Sequence, residues 1–137
     1  NNSNNNNNNN SNRDNNTTLV NLIQDRCPSY HALVQFQRGE MRLMVFCHER
    51  MADAFAVHTV KAENTGIGGV MANKGGILGQ LVLKSNGMRL SFVSAHLEAH
   101  EGKSHYQARC DDLLEILEGT KTTKYHDASI DSHYMFV

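Results

Sequence analysis

The chain has 137 residues, enough for one small domain but not two, and a formal net charge of −1. So neutral a balance argues against binding nucleic acid through a broad basic face, and no apolar run reaches the roughly 18 residues of a membrane span. Three cysteines (Cys27, Cys47, Cys110) lie at irregular spacing without a C-x-x-C pair, which reads as reduced thiols in a cytosolic protein rather than a disulfide framework.

The opening residues are nearly all asparagine, broken by Ser3, Ser11, Arg13 and Asp14. Such a tract has nothing apolar to bury, so composition predicts disorder over residues 1–18 and a folded part over 19–137. It also lacks the apolar region of a signal peptide. Leu19, Val20, Leu22 and Ile23 then suit a helical turn or two, ended at Cys27-Pro28-Ser29. Tyr30–Gln37 alternates, which puts Tyr30, Ala32, Val34 and Phe36 on one predicted face. After the turn signal Arg38-Gly39-Glu40, Met41–His48 is apolar on both faces and predicts a strand covered on both sides. The two strands read as a β-hairpin.

Glu49–Phe55 suits a short helical connector, and Ala56–Ala62 predicts a third strand. A glycine-rich loop follows over Glu63–Gly76. Ile77–Lys84 and Met88–Ser94 are two strong strands joined through Asn86-Gly87, the best short hairpin signal a sequence offers. This order places the glycine loop, which enters the pair, and the segment Ser94–His100, which leaves it, at the same end of a sheet. Ser104–Glu118 predicts a helix with a capping box from Ser104 to Gln107 and an apolar stripe of Tyr106, Cys110, Leu113, Leu114 and Leu117. Gly119 suits its end. Lys121–Ser132 is polar and loop-like, and Tyr134–Val137 predicts a last strand.

Chemistry concentrates in T-G-I-G-G-V-M-A-N-K-G-G-I (Thr65–Ile77) and S-A-H-L-E-A-H (Ser94–His100). A glycine loop carrying Asn73 and Lys74 offers backbone N–H groups and an ammonium to an anion. It is not a nucleotide P-loop, since Lys74 precedes its glycines and a strand follows. From local sequence alone the plainer reading, a glycine turn with a solvated lysine, is the favoured one. His96 suits a donor to a phosphoryl oxygen at a strand end. His96 and His100, with His105 and Cys110 near them, also have a speculative zinc reading, weakened by the lack of an H-E-x-x-H pattern. For His100, a histidine satisfied by local hydrogen bonds is the stronger reading. Lys103 and Arg109 either add positive charge near the same loop or lie on a solvated helix face.

In that order, hairpin, glycine loop, S-F-V-S-A-H-L-E-A-H and an Arg-bearing helix, the chain from Tyr30 to Val137 resembles the middle of an inositol polyphosphate 5-phosphatase domain of the endonuclease/exonuclease/phosphatase superfamily. The resemblance implies an α/β (α+β) fold: part of a two-sheet β-sandwich flanked by helices. It also implies a magnesium-dependent phosphomonoesterase acting on the 5-phosphate of phosphoinositides or inositol phosphates. By motif match, His96 would contact the scissile phosphate, while Asn73 and Lys74 would shape the substrate-binding loop. A cytoplasmic location, with peripheral contact at the cytosolic face of membranes, is implied as well, and no nucleic-acid partner is expected. Departures from the family pattern are Ala72 for Gly, Glu98 for Ala, and Cys110 for the Asn that commonly follows Arg109. The resemblance further places the family's metal-binding Glu in a strand before Tyr30 and a Gly-Asp-x-Asn motif directly after a strand like Tyr134–Val137. Neither is identifiable here, so the chain reads as a central fragment, without metal ligands and inactive on its own. Two other readings are a magnesium-dependent nuclease of the same fold and a degenerate, non-catalytic module.

Overall fold

A computed structural model describes residues 8–65, 74–121 and 132–137. Helix α1 (Asn8–Arg26) leads into the hairpin of β1 (Tyr30–Arg38) and β2 (Met41–His48), and a short α2 (Glu49–Ala52) leads to β3 (Phe55–Asn64). Next come β4 (Gly75–Leu83), β5 (Arg89–His96), α3 (Lys103–Gly119) and β6 (Tyr134–Phe136). β1 and β2 form a two-stranded sheet; the other four strands form a sheet in the order β3-β4-β5-β6, antiparallel except for the parallel β5–β6 pair. The fold is therefore mixed α+β with two sheets. None of the described helices is long and apolar enough to cross a membrane.

The strands pack in layers because β4 buries both its faces. On one face Ile77 and Leu81 meet Val34, Met41, Leu43 and Val45 of the hairpin. On the other, Leu78 joins Val93 and Ile116 of α3. Gly79 and Gly76 permit this close approach: a Cβ at Gly79 would lie 2.9 Å from Leu43 Cδ2, and one at Gly76 would lie 2.6 Å from Ile116 Cγ2. Gln80, fully buried on the α3 side of the sheet, donates from Nε2 to Ser91 Oγ (3.0 Å) and Ser132 Oγ (3.3 Å), which ties β4 to β5 and to the approach to β6.

Several expectations are corrected. Helix α1 starts at Asn8, inside the tract that composition reads as disordered. Val20 docks α1 at 5% exposure, and extending a docked helix adds one hydrogen bond per residue without a second nucleation cost. The predicted face of β1 is broken by a bulge between Ala32 and Val34. Val34 and Phe36 pair with Val45 and Leu43 on the core side, whereas Ala32 and Tyr30 pair with Phe46 and His48 on the other. The outer face of β2 is half-buried rather than covered; Met44 and Phe46 line an apolar groove of about 400 Å3 with Phe92, Phe136 and Val137. The α3 stripe holds in part: Leu117 packs against the Leu78–Val93–Ile116 cluster, whereas Tyr106 and Leu114 are 62% and 60% exposed and Ile116 is the fully buried residue. Ser104 does not cap α3; the N-cap is Gly102, and Gln107 donates instead to Asp111 Oδ1 at 2.9 Å.

Candidate functional site

The two chemistry-bearing segments meet at one end of the β4–β5 pair, as the Asn-Gly turn predicts. Gly75 opposes His96 in register and Gly76 opposes Ala95. The Thr65 N–H donates to the Lys74 carbonyl at 3.2 Å, extending the β3–β4 ladder by one step. Residues 66–73 span that step, and Asn73 lies among them, outside the described residues. Gly75 adopts φ +139°, and a Cβ there would fall 2.1 Å from the Glu63 carbonyl oxygen, so this position holds the ladder together at the foot of the loop. Two buried oxygens at the same place, Thr65 Oγ1 and Asn64 Oδ1, have no hydrogen-bond partner among the described residues.

His96 is exposed at the last position of β5. Strand alternation puts it on the face of Phe92, which packs toward the hairpin. Lys74 is not solvated: its ammonium bonds the Glu98 carboxylate, and the two side chains are 24% and 20% exposed. Glu98 in turn is fixed to α3. Its backbone N–H donates to Asp112 Oδ2 at 3.0 Å, and Arg109 Nη1 donates to the carbonyls of Glu98 (3.4 Å) and His100 (2.7 Å). The second carboxylate oxygen of Glu98 lies 3.5 Å from His105 Nδ1 and 3.7 Å from His100 Nε2. The two imidazole rings meet edge-on with centroids 5.2 Å apart.

The electrostatics follow from this geometry. The Lys74 hydrogen bond holds the Glu98 carboxyl below its ordinary value of 4.5, against a smaller desolvation effect that favours the neutral acid; the charges of Lys74, His100 and His105 reinforce the lowering. Because the folded-state value is depressed, the contribution of Glu98 to stability is present above pH 4.5 and is lost as pH falls through the folded value.

Thus the structure brings His96 and Lys74 to the same sheet end but commits Lys74 to a carboxylate on the α3 side. Arg109 is a backbone tie between α3 and the 97–100 segment, not a charge presented to a ligand. Among the described residues, no three His, Cys, Asp or Glu side chains converge as a metal site requires, which leaves the zinc reading without support. Glu98 is engaged by Lys74 and Asp112 by the Glu98 N–H, so these two carboxylates do not fit a resident magnesium ion. Sequence reasoning missed Glu98 and Asp112 as organisers of the site. The signal for Glu98 was its place between two histidines, where the family pattern has Ala.

Comparison with known proteins bears on this arrangement. The family model for Endonuclease/Exonuclease/phosphatase family 2 matches residues 2–137. Inositol-1,4,5-trisphosphate 5-phosphatase 1 of Schizosaccharomyces pombe is 30% identical over 103 residues, covering 73% of this chain and 9% of that protein. The crystal structure of the inositol polyphosphate 5-phosphatase domain of spSynaptojanin, in complex with inositol (1,4)-bisphosphate and calcium ion, superposes with a TM-score of 0.59 at 24% identity. That match covers 81% of this chain and 32% of that one. The chain therefore spans a minor part of either relative. It belongs to endonuclease/exonuclease/phosphatase family 2 and forms part of an inositol polyphosphate 5-phosphatase-like domain.

Proposed function

We propose that this chain supplies the phosphate-facing rim of a magnesium-dependent phosphatase that removes the 5-phosphate from phosphoinositides or soluble inositol polyphosphates. The observation that carries this reading is the Gly75–His96 pairing, which sets a glycine loop and an exposed imidazole side by side at a strand end. In this role His96 donates to a phosphoryl oxygen, and backbone N–H groups at the foot of the loop add partial positive charge. Lys74 completes the rim on the loop side, while the substrate-binding role of Asn73 rests on the sequence motif alone. The names of the two relatives, a trisphosphate 5-phosphatase and a domain holding inositol bisphosphate, support the substrate class. Contact with the cytosolic face of a membrane belongs to the same proposal, through a lipid substrate. Inactivity of the chain alone belongs to the same proposal: among the described residues no three His, Cys, Asp or Glu side chains converge as a metal site requires, and the Glu98 carboxylate at this sheet end is engaged by Lys74.

Calorimetric titration of the 137-residue chain with inositol 1,4-bisphosphate tests this. His96→Ala is expected to weaken binding by about tenfold, the worth of one hydrogen bond to a charged group. An unchanged affinity would remove His96 from the rim. Tighter binding of a DNA oligonucleotide than of the inositol phosphate would favour the nuclease reading instead. Magnesium-dependent release of phosphate from inositol 1,4,5-trisphosphate by the chain alone would overturn its assignment as inactive.

A further inference from the structure

The carboxylate of Glu98 sits among three nitrogens from three parts of the chain: Lys74 Nζ at the start of β4, His100 Nε2 on its own loop and His105 Nδ1 on α3. Its position is not that of a wandering surface side chain. Asp112 and Arg109 pin the backbone on either side of it, through the Glu98 N–H and the Glu98 and His100 carbonyls. An anion held by one ammonium and two imidazoles is how a phosphate dianion would be held, and here the anion is part of the chain. We propose, on the reading of Lys74 as a phosphate-facing residue, that Lys74, His100 and His105 form a phosphomonoester-binding site and that Glu98 is its internal occupant.

The charge balance gives the site a pH dependence. Around Glu98 at neutral pH, Lys74 offsets Glu98 and Arg109 offsets Asp112, so an incoming phosphate meets no net attraction. His100 and His105 are 76% and 40% exposed, so both imidazoles are open to solvent protons. Their protonation adds two positive charges to one carboxylate. Glu98 can then be satisfied by imidazolium while the Lys74 ammonium turns to the ligand. The site is closed at neutral pH and opens on acidification.

Sulfate is the suitable probe, because it remains a dianion throughout and separates titration of the protein from titration of the ligand. Its binding to the full chain would be measured at pH 5.5 and 7.5. At pH 7.5, Glu98→Gln is expected to bind sulfate about tenfold more tightly than the parent chain, and this gain disappears in the E98Q/K74Q double variant. The parent chain is expected to bind more tightly at pH 5.5 than at 7.5, and H100Q/H105Q to abolish that difference. Glu98→Ala carries the same expectation should the Gln variant fold poorly. Equal sulfate affinity in the parent and both Glu98 variants at pH 7.5 would overturn the proposal, as would a gain that survives loss of Lys74. If sulfate behaves as expected while inositol 1,4-bisphosphate does not bind, the anion site stands and the phosphatase reading falls.

Discussion

Gly75→Ala is expected to destabilise the chain by roughly 2–4 kcal/mol, combining a strained backbone with a steric collision. Gly75 has φ +139°, and its added methyl would lie 2.1 Å from the Glu63 carbonyl and 2.8 Å from Asn64 Cα. These are backbone atoms of the paired strand and cannot rotate away, so the β3–β4 ladder must open at the foot of the glycine loop. Gly87→Ala is the internal control. It also has positive φ, +73°, but nothing lies within 4 Å of its added Cβ. Its cost is therefore the conformational term alone, about 1 kcal/mol. Urea unfolding of both variants separates the terms: a much lower midpoint for G75A than for G87A is expected, and equal midpoints would refute the close approach at Gly75.

The second large effect lies at Ile116. Fully buried, it fills the space above Gly76, where the strand offers no side chain of its own. Ile116→Ala leaves a cavity that neither Gly76 nor the rigid sheet can fill, so a loss of about 2–5 kcal/mol is expected. Set against a typical domain stability of roughly 5–15 kcal/mol, that loss brings a domain of this size close to unfolding. Leu114→Ala, at a residue 60% exposed, should move the midpoint by no more than about 0.5 kcal/mol. If the two truncations cost the same, the helix is rotated from the phase described.

That phase illustrates what the sequence leaves open. Leucines 113, 114 and 117 define a plausible stripe by themselves, but the buried face of α3 is chosen by where a helix can approach the sheet, and Gly76 makes room for Ile116. The bulge between Ala32 and Val34 is equally hidden, because alternation cannot reveal a slip that depends on the partner strand. The hairpin at Asn86-Gly87 was legible because its turn chemistry is local, and from it alone came the meeting of the glycine loop with His96. The Lys74–Glu98 pair was not legible. It joins residues 24 apart in the chain, and only the β4–β5 register brings them together. Extension of α1 back to Asn8 runs against composition, since asparagine has low helix propensity; the docked segment around Val20 supplies what the tract lacks.

The end of the β4–β5 pair is the proposed phosphate-facing rim. Amide-resolved NMR titration of the chain with inositol 1,4-bisphosphate reads this directly. The expected shifts cluster at Lys74, Gly75, Gly76 and Ala95–His100, with the Gln80 region and the Arg38–Met41 turn unmoved. Shifts centred on the apolar groove beside Phe46 and Phe136, or no shifts at all at saturating ligand, would contradict it.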